Sequence, residues 1–162
     1  MNLPTLIILM GLPGSGKSYV SDYLRRKYGY TVLSGEEITN QLFGTEKVSG
    51  KQYSEAYKTI RQKASELLLQ EKSVVIDGTN LRQAFRQQIY DEVSCSSTKL
   101  IYLKVDDKIA LDRISKRNNS CSLDTFNSFK SQIEEPLSNE KAIVLKSDER
   151  LLNNIDEIIS NN

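Results

Sequence analysis

The sequence contains no histidine among its 162 residues. Histidine is the side chain that titrates nearest neutral pH, the middle member of Ser-His-Asp triads and the commonest metal ligand. Its absence therefore excludes a histidine general base, a histidine-containing triad and the commonest zinc-ligand sets.

Cysteine is scarce as well, since only Cys95 and Cys121 are present. They are far apart and belong to no paired spacing, so the sequence predicts neither a disulfide framework nor a cysteine metal knuckle. No stretch is as long as a membrane span, and the apolar run from Leu6 to Met10 has no basic residues before it. We therefore expect a cytoplasmic protein with reduced thiols and no membrane contact.

Positive and negative charges nearly balance, because the sequence has 22 Lys and Arg residues and 21 Asp and Glu residues, which gives a net charge of +1. A balanced chain has no general attraction for nucleic acid or for a membrane surface. A bound nucleic acid would therefore need a local basic groove. The length fits a single domain, residues 1–162, with a sizeable core, and no feature indicates an obligate protein partner.

What the sequence does contain is a glycine-rich segment directly after an apolar run. Residues 11–18 read Gly-Leu-Pro-Gly-Ser-Gly-Lys-Ser and match the pattern G-x-x-x-x-G-K-[ST] at every fixed position. The preceding run predicts a short buried strand, and the following segment has apolar residues at helical spacing. Strand, loop and helix in this order predict a phosphate-binding loop rather than a chance glycine-rich turn.

The residue types of this loop suit a nucleoside triphosphate. Its glycines let successive backbone N–H groups turn toward an anion, and the following helix directs its positive end to the same place. Lys17 adds a cation for the β- and γ-phosphates, and the Ser18 hydroxyl is an oxygen ligand suited to Mg²⁺. The residues expected to bind the nucleotide are Gly11, Leu12, Pro13, Gly14, Ser15, Gly16, Lys17, Ser18 and Tyr19.

Five short apolar runs alternate with longer segments of helical periodicity. The alternation predicts an α/β fold of three layers, in which a parallel sheet is covered by helices on both faces. Ligands of such sheets collect at the carboxyl ends of the strands, so functional residues are expected just after each run. The predicted strands are Thr5 to Met10, Thr31 to Leu33, Val74 to Asp77, Leu100 to Val105 and Ala142 to Leu145.

The second run is followed by the segment Ser34-Gly35-Glu36-Glu37. A carboxylate beside bound phosphates can take the proton of an attacking hydroxyl or orient it, which makes Glu36 a candidate catalytic base. Adjacent acids also suit the start of a helix, because they stabilise its positive end. Both interpretations of Glu36 stay open at this point.

The third run ends at Asp77, and Gly-Thr-Asn follows. In phosphate-loop proteins an acid at the end of a buried strand holds Mg²⁺ directly or through water, so Asp77 is predicted as a metal ligand beside Ser18. The alternative is an Asp-Gly turn in which Asp77 bonds its own backbone. Thr79, Asn80 and Arg86 are candidate substrate contacts, although exposed arginines on helices are common without such a role.

Farther along, Arg113, Lys116 and Arg117 stand at helical spacings, and the polar residues Asn118-Asn119-Ser120 follow. Cations on one helical face can neutralise a phosphoryl group during transfer, and a polar loop lets that face open and close. Residues 113–125 are therefore predicted to form a lid in which Arg117 is catalytic. A solvated basic helix face is the alternative.

Together these segments resemble the P-loop kinases grouped around the 5′-hydroxyl polynucleotide kinase domain, with AAA-type and zeta-toxin-like P-loop kinases as more distant relatives. The likeness extends from Leu6 to about Leu145. The phosphate loop is common to many families, whereas a strand ending in Asp-x-Thr-Asn is moderately specific. The segments that carry it are residues 11–18, Ser34-Gly35-Glu36, Val74 to Asn80 with Arg86, Arg117-Asn118 and Ile133-Glu134-Glu135-Pro136.

The resemblance implies a five-stranded sheet of order 2-3-1-4-5 and a kinase that moves the γ-phosphate of ATP, with Mg²⁺, to a hydroxyl group. It further implies a base at Glu36, a lid carrying Arg117, and Arg113 near the adenine. The acceptor it implies first is a nucleic-acid 5′-hydroxyl. A small metabolite, nucleoside or sugar, or a module that binds ATP without transfer, are the alternatives.

The chain departs from the pattern of that family on the acceptor side. Thr39 stands where an arginine is usual, and Cys121 stands where a basic residue is often found. The acid at position 36 is also one methylene longer than the usual aspartate. Fewer cations are therefore expected to face the acceptor than in the family pattern.

Overall fold

The computed structural model describes residues 3–45, 48–117 and 121–161. Helices and strands alternate along most of this length, as the periodicity predicts. None of the described helices combines the length and the apolar composition needed to cross a membrane. The elements in chain order are β1 (Thr5–Met10), α1 (Lys17–Tyr28), β2 (Thr31–Ser34), α2 (Gly35–Phe43), α3 (Lys51–Leu69), β3 (Val74–Asp77), α4 (Gln83–Glu92), β4 (Ser97–Lys104), α5 (Asp107–Ser115), α6 (Leu123–Ser131), a 3₁₀ turn (Ser138–Glu140), β5 (Ile143–Lys146) and α7 (Leu151–Ser160).

The strands form one parallel sheet in the order β2-β3-β1-β4-β5. This confirms the predicted fold class and the strand order that the family resemblance implies. The largest difference is at β4, which begins at Ser97 rather than at the predicted Leu100. Its polar first residues do not look like a buried run, but Ser97 and Thr98 pair with Thr5 and Leu6 of β1.

Strand β1 lies at the centre of the sheet, and all six of its residues are buried. Because side chains alternate along a strand, Leu6, Ile8 and Met10 enter one hydrophobic cluster, whereas Ile7 and Leu9 enter the other. Burial of each such side chain contributes about 1.5–3 kcal/mol to stability. The two clusters are the interfaces of the sheet with the helices on its two faces.

The carboxyl ends of β1, β2 and β3 meet at one edge of the sheet. Ser34, the last residue of β2, pairs with Asp77, the last residue of β3. The loop that follows Met10 connects β1 to α1 at the same edge. The phosphate loop, the start of α2 and the Asp77 carboxylate are therefore brought together by strand pairing alone.

Candidate active site

The loop between β1 and α1 has a wrapped backbone that depends on glycine. Gly14 has φ +78° and Gly16 has φ +95°, values that residues with a side chain rarely adopt. A Cβ at Gly14 would lie 2.5 Å from the Ala110 carbonyl oxygen, so α5 packs directly against the loop backbone. The Gly11 N–H donates to the Thr79 carbonyl at 3.1 Å, which ties the loop to the end of β3. The loop thus has the shape that an anion-binding cradle requires.

Lys17 is buried at the first turn of α1. Its ammonium group donates to the Leu12 carbonyl at 2.8 Å and to Ser15 Oγ at 3.5 Å. Burial lowers the pKa of Lys17 to about 8; the Asp77 carboxylate acts against this change and Arg117 adds to it. A phosphate group would give this charge a full anionic partner in place of a carbonyl dipole.

The Asp77 carboxylate lies against α1, where the Ser21 hydroxyl donates to its Oδ2 at 2.9 Å. Ser18 is exposed one turn earlier on α1 and lines the same cavity as Asp77. Mg²⁺ is commonly held by one or two carboxylates together with substrate phosphates. Within the described ranges no three acidic or cysteine side chains form a metal cluster. Asp77 and Ser18 therefore fit a Mg²⁺ ion that is bound together with a nucleotide.

A cavity of about 1160 Å³ opens at this edge of the sheet. It is bounded by the phosphate loop, the first turns of α2 and α3, the end of β3 and the lid region. Cations, carboxylates and hydroxyl groups therefore share one space. The residues predicted from the sequence that line it are Pro13, Gly14, Gly16, Lys17, Ser18, Glu36, Asp77, Thr79 and Arg117.

Glu36 lies in the first turn of α2, exposed and on the cavity side. The helix is capped by Ser34, whose Oγ accepts the Glu37 N–H at 3.3 Å. Glu37 is also in the first turn and is not part of the cavity lining. Ser34 thus caps the first turn of α2, and Glu37 provides a negative charge near its positive end without help from Glu36. The position of Glu36 in the cavity lining therefore favours its interpretation as a catalytic base.

The expected contact of Arg86 with an anionic substrate is wrong, because the Arg86 side chain is fully buried. Its Nε and Nη2 donate to the two carboxylate oxygens of Glu140 at 2.7 and 3.0 Å. Its Nη1 donates to the carbonyls of Asn80 and Leu81 at 3.1 and 3.0 Å. The Asn80 side chain is buried too, and its Nδ2 donates to the Leu9 carbonyl at 2.7 Å. Both side chains support the turn that carries Thr79 rather than lining the cavity.

Arg113 contacts the phosphate loop from outside the cavity. Its Nη1 donates to the Gly14 carbonyl at 3.1 Å and to Ser147 Oγ at 2.8 Å, and its Nη2 donates to the Ser147 carbonyl at 3.2 Å. Tyr19 is 60% exposed and is likewise absent from the cavity lining. Arg113 therefore supports the loop backbone, and the contacts of Arg113 and Tyr19 with the nucleotide stay predictions.

The predicted lid, residues 113–125, covers the end of α5 and the first residues of α6. Helix α6 is capped by Ser122, whose Oγ accepts the Thr125 N–H at 3.1 Å, and is anchored by the buried ring of Phe126, just beyond the predicted segment. The predicted polar loop Asn118 to Ser120 lies outside the described residues. The residues of the predicted segment that line the cavity are Ile114, Arg117, Cys121, Ser122 and Thr125, and Phe129 of α6 lines it as well.

Two tyrosines of α3 line the cavity, although the sequence did not indicate them as site residues. Tyr57 is 6% exposed and Tyr53 is half-buried. Their spacing of four residues matches the apolar stripe of α3, which predicts core residues. A usable signal was that both carry a hydroxyl group, whereas the other members of the stripe are alanine, isoleucine and leucine.

A sequence model of a family described as an AAA domain (AAA_33) matches residues 6–136. The chain belongs to this AAA domain family. The matched span begins in β1 and ends after α6, so the phosphate loop, Glu36, Asp77 and Arg117 all lie within it. The AAA domain of this protein therefore contains every charged residue that lines the cavity among the described positions.

Curated relatives of this AAA domain include nucleotide kinases. The chain is 24% identical to an adenylate kinase of Baumannia cicadellinicola subsp. Homalodisca coagulata over 160 residues, which cover 88% of this chain and 74% of that protein. It is 30% identical to a cytidylate kinase of Methanocella arvoryzae over 121 residues, 70% of this chain and 63% of that protein. The chain thus spans less than two thirds of the second relative.

Solved structures share the fold of this AAA domain across most of its length. A sugar kinase from Janibacter sp. HTCC2649 superposes with a TM-score of 0.76 at 16% identity, covering 97% of this chain and 93% of the other. The APS kinase CysC of Mycobacterium tuberculosis, in complex with AMPPNP and APS, gives 0.71 at 16% identity, with 99% and 98% covered. A chain of the Pnkp1/Rnl/Hen1 RNA repair complex gives 0.69 at 20% identity, with 87% and 46% covered. P-loop kinases use ATP with Mg²⁺, which confirms the expected cofactors.

Proposed function

We propose that the protein is an ATP-dependent kinase that transfers the γ-phosphate of Mg-ATP to the hydroxyl group of a small, uncharged acceptor. The observation that carries this proposal is the cavity shared by Lys17, Ser18, Glu36, Asp77 and Arg117. Cations for the phosphate, oxygens for the metal and a carboxylate for the hydroxyl proton are the groups that phosphoryl transfer uses. Similarity to proteins named adenylate kinase and cytidylate kinase supports phosphoryl transfer from a nucleoside triphosphate, and the hydroxyl acceptor rests on the cavity lining alone.

In the proposed transfer the acceptor oxygen forms a bond to the γ-phosphorus. The bond between that phosphorus and the β–γ bridging oxygen breaks, and ADP leaves. Glu36 takes the hydroxyl proton as general base, while Lys17 and Arg117 stabilise the negative charge of the transferring group. Asp77 and Ser18 would hold a Mg²⁺ ion, which would supply further neutralisation of the phosphate oxygens.

The charges of the lining support a small, uncharged acceptor. Lys17 and Arg117 are the cations among the described lining residues, and Arg117 is close enough to Lys17 to affect its pKa. A nucleic-acid strand would require several cations along its phosphates. Beyond Glu36, helices α2 and α3 contribute only uncharged side chains to the described lining, namely Thr39, Asn40, Tyr53 and Tyr57.

A polynucleotide 5′-hydroxyl kinase is the second candidate. The similarity of the fold to a chain of the Pnkp1/Rnl/Hen1 RNA repair complex favours it. A further cation near the cavity, Arg82, also favours it. Burial raises the pKa of Tyr53, and the charge of Arg82 lies near enough to Tyr53 to act against this rise. However, Arg82 donates to Gln132 at 3.3 Å and is not part of the cavity lining.

A transfer assay with labelled γ-phosphate tests the proposed reaction. Glu36→Gln should lower kcat by roughly 10²- to 10⁴-fold, because a positioned general base contributes about that much. Glu37→Gln is the matched control, since Glu37 is the next residue of α2 and lies outside the cavity lining; it should stay within about twofold of wild type. Equal rates for Glu36→Gln and wild type would reject Glu36 as the base.

Salt dependence separates the two candidate acceptor classes. The KM of an uncharged small acceptor should change little between about 50 and 200 mM salt, whereas that of an oligonucleotide should rise steeply as phosphate contacts weaken. Efficient transfer to 5′-hydroxyl oligonucleotides with a steep slope would favour the second candidate. Binding of ATP without transfer to any acceptor would instead indicate an ATP-binding module.

A further inference from the structure

Three aromatic rings form a cluster beside the cavity, which we call the aromatic wall: Tyr53, Tyr57 and Phe85. The ring centroids of Tyr53 and Tyr57 are 4.6 Å apart, and Phe85 lies 5.6 Å from Tyr53 and 5.7 Å from Tyr57. Tyr53 and Tyr57 line the cavity, whereas Phe85 lies behind them on α4. A cluster that only joined helices would be covered by protein, but Tyr53 keeps exposed surface in the cavity.

The aromatic wall is fixed in place by the strand-end turns. A Cβ at Gly78 would lie 2.8 Å from the Tyr57 hydroxyl, and one at Gly35 would lie 3.6 Å from it. The absence of a side chain at Gly78 therefore lets the Tyr57 hydroxyl approach the end of β3 closely, whereas at Gly35 the approach is an ordinary contact. Burial raises the pKa of Tyr57 well above its usual value, so the hydroxyl stays neutral. A neutral, rigid ring surface is thus preformed beside Asp77 and the phosphate loop.

We propose that the acceptor carries a planar aromatic ring that stacks on this wall, as the base of a nucleoside would, in addition to the hydroxyl that receives the phosphate. This inference rests on the proposed kinase function and specifies its acceptor. Rings stack favourably on tyrosine, and the contact tolerates different bases because every base has a π-face.

The rest of the lining fits the same chemical class. Val48 and Phe129 add apolar surface, while Thr39, Asn40 and Thr79 offer neutral hydrogen-bonding groups for the ring edges. A sugar can place only the C–H groups of its ring against an aromatic side chain, whereas a base covers it with a flat π-face and has hydrogen-bonding groups at its edges. A neutral nucleoside therefore matches the wall better than a simple sugar does.

Initial rates with ATP and a matched pair of acceptors test the inference. Each of the common ribonucleosides is compared with methyl β-ribofuranoside, which has the same furanose ring and free hydroxyl groups but carries a methoxy group in place of the base. We expect at least one nucleoside to exceed the methyl riboside by tenfold or more in kcat/KM. Tyr53→Leu should raise the KM of that nucleoside by about tenfold, within the range known for loss of base stacking. Tyr53→Phe, which keeps the ring and loses only the hydroxyl, should raise that KM by less than Tyr53→Leu does.

The outcomes separate this inference from the function on which it rests. Faster transfer to the methyl riboside or another acceptor without an aromatic ring, or an unchanged nucleoside KM in Tyr53→Leu, would overturn the aromatic acceptor and leave the kinase intact. Transfer to no hydroxyl compound at all would overturn both.

Circular dichroism and the ATP dissociation constant of each variant check folding. Saturation-transfer NMR of the nucleoside base protons on the wild-type protein gives a measure that needs no variant: absence of transfer to the base would also overturn the proposal.

Discussion

Arg86 and Glu140 form an ion pair in the interior, with side-chain exposures of 0% and 5% and an Nε–Oε1 distance of 2.7 Å. Burial opposes the charge on Glu140, but bonds from Arg86, the Leu137 N–H and the Tyr90 hydroxyl outweigh it and lower the pKa of Glu140. Because Arg86 also holds the carbonyls of the turn after β3, the pair connects the segment that follows the lid to the turn that carries Thr79.

Glu140→Gln should destabilise the protein strongly, because it leaves the Arg86 charge buried without an anionic partner. Breaking such a pair costs about 3–5 kcal/mol, to be measured by urea unfolding. Tyr90→Phe is the control: it removes a single hydrogen bond to the charged Glu140 carboxylate and should cost about 1.5–3 kcal/mol. A smaller loss in Glu140→Gln than in Tyr90→Phe would contradict this ranking.

The same pair predicts a loss of stability in acid. Since the pKa of Glu140 is lowered by folding, its contribution is fully present above the ordinary carboxyl pKa of 4.5 and disappears as pH falls through the lower folded value. Unfolding free energy measured from pH 6 downward should therefore fall less steeply in Glu140→Gln than in wild type. Parallel curves for the two proteins would contradict the prediction.

Nucleotide affinity should decrease as pH rises through about 8, where half of the Lys17 side chains have lost their proton. A bound phosphate favours the charged ammonium and raises its pKa, so binding takes up a proton in this range. The dissociation constant of Mg-ATP, measured by calorimetry, should be flat well below pH 8, begin to rise as this pH is approached, and rise by up to tenfold per pH unit above it. Lys17→Arg keeps its charge throughout, so its affinity should show no such rise.

The Lys17 pKa also predicts how the free energy of unfolding of the nucleotide-free protein changes with pH. Folding lowers this pKa from 10.5 to about 8, so between these values the unfolded chain binds more protons than the folded one. The contribution of Lys17 to stability should therefore increase with pH across this window. Lys17→Met, which has no charge to bury, should lose this part of the pH dependence in urea unfolding.

Gly14→Ala should abolish tight nucleotide binding, whereas Gly29→Ala should not. Both glycines have similar positive φ values, +78° and +72°, so each substitution should cost about 1–2 kcal/mol of stability. Of these two positions, only Gly14 would bring the new methyl group against backbone, 2.5 Å from the Ala110 carbonyl oxygen; at Gly29 no atom of the described residues beyond its chain neighbours lies within 4 Å of a Cβ. Equal nucleotide affinity in the two variants would show that contact with α5 does not shape the loop.

Arg113→Met should weaken binding of ATP, GTP and inorganic tripolyphosphate by the same factor, about tenfold, because Arg113 holds the Gly14 carbonyl of the loop. Lys116→Met is the control, since Lys116 lies beyond the same helix and pairs with Asp112 on the surface. It should leave all three affinities unchanged. A loss confined to ATP would indicate instead that Arg113 contacts the adenine.

The fold could be predicted from the sequence because its signals are local. The run from Leu6 to Met10 is apolar at every position and is followed by Gly11, and Val74 to Ile76 is likewise apolar and is followed by Asp77 and Gly78. The start of β4 was missed because Ser97 and Thr98 are held by backbone pairing with β1, which leaves no side-chain pattern. The strand order rested on the family resemblance rather than on periodicity.

The site was predictable only where a short segment determines the geometry. The phosphate loop depends on neighbouring residues, so its pattern is visible in the sequence. Arg86 and Arg113 were assigned differently because their partners Glu140 and Ser147 lie 54 and 34 positions away. A single sequence gives no sign of such long-range pairing. An arginine that is exposed at the surface therefore cannot be distinguished, from the sequence alone, from one that is paired in the interior.

Strand β1 also constrains the order in which this molecule can be assembled during translation. Ile8 pairs with Ile76 on one side and with Leu100 on the other, so the strand that leads into the phosphate loop gains its two neighbours one after the other, first β3 and then β4. During translation one apolar edge of β1 therefore stays unpaired until β4 has followed β3 out of the ribosome. Helix α5, which packs against the loop backbone at Gly14, is synthesised later still, so nucleotide can stabilise the completed loop only in the late steps of folding.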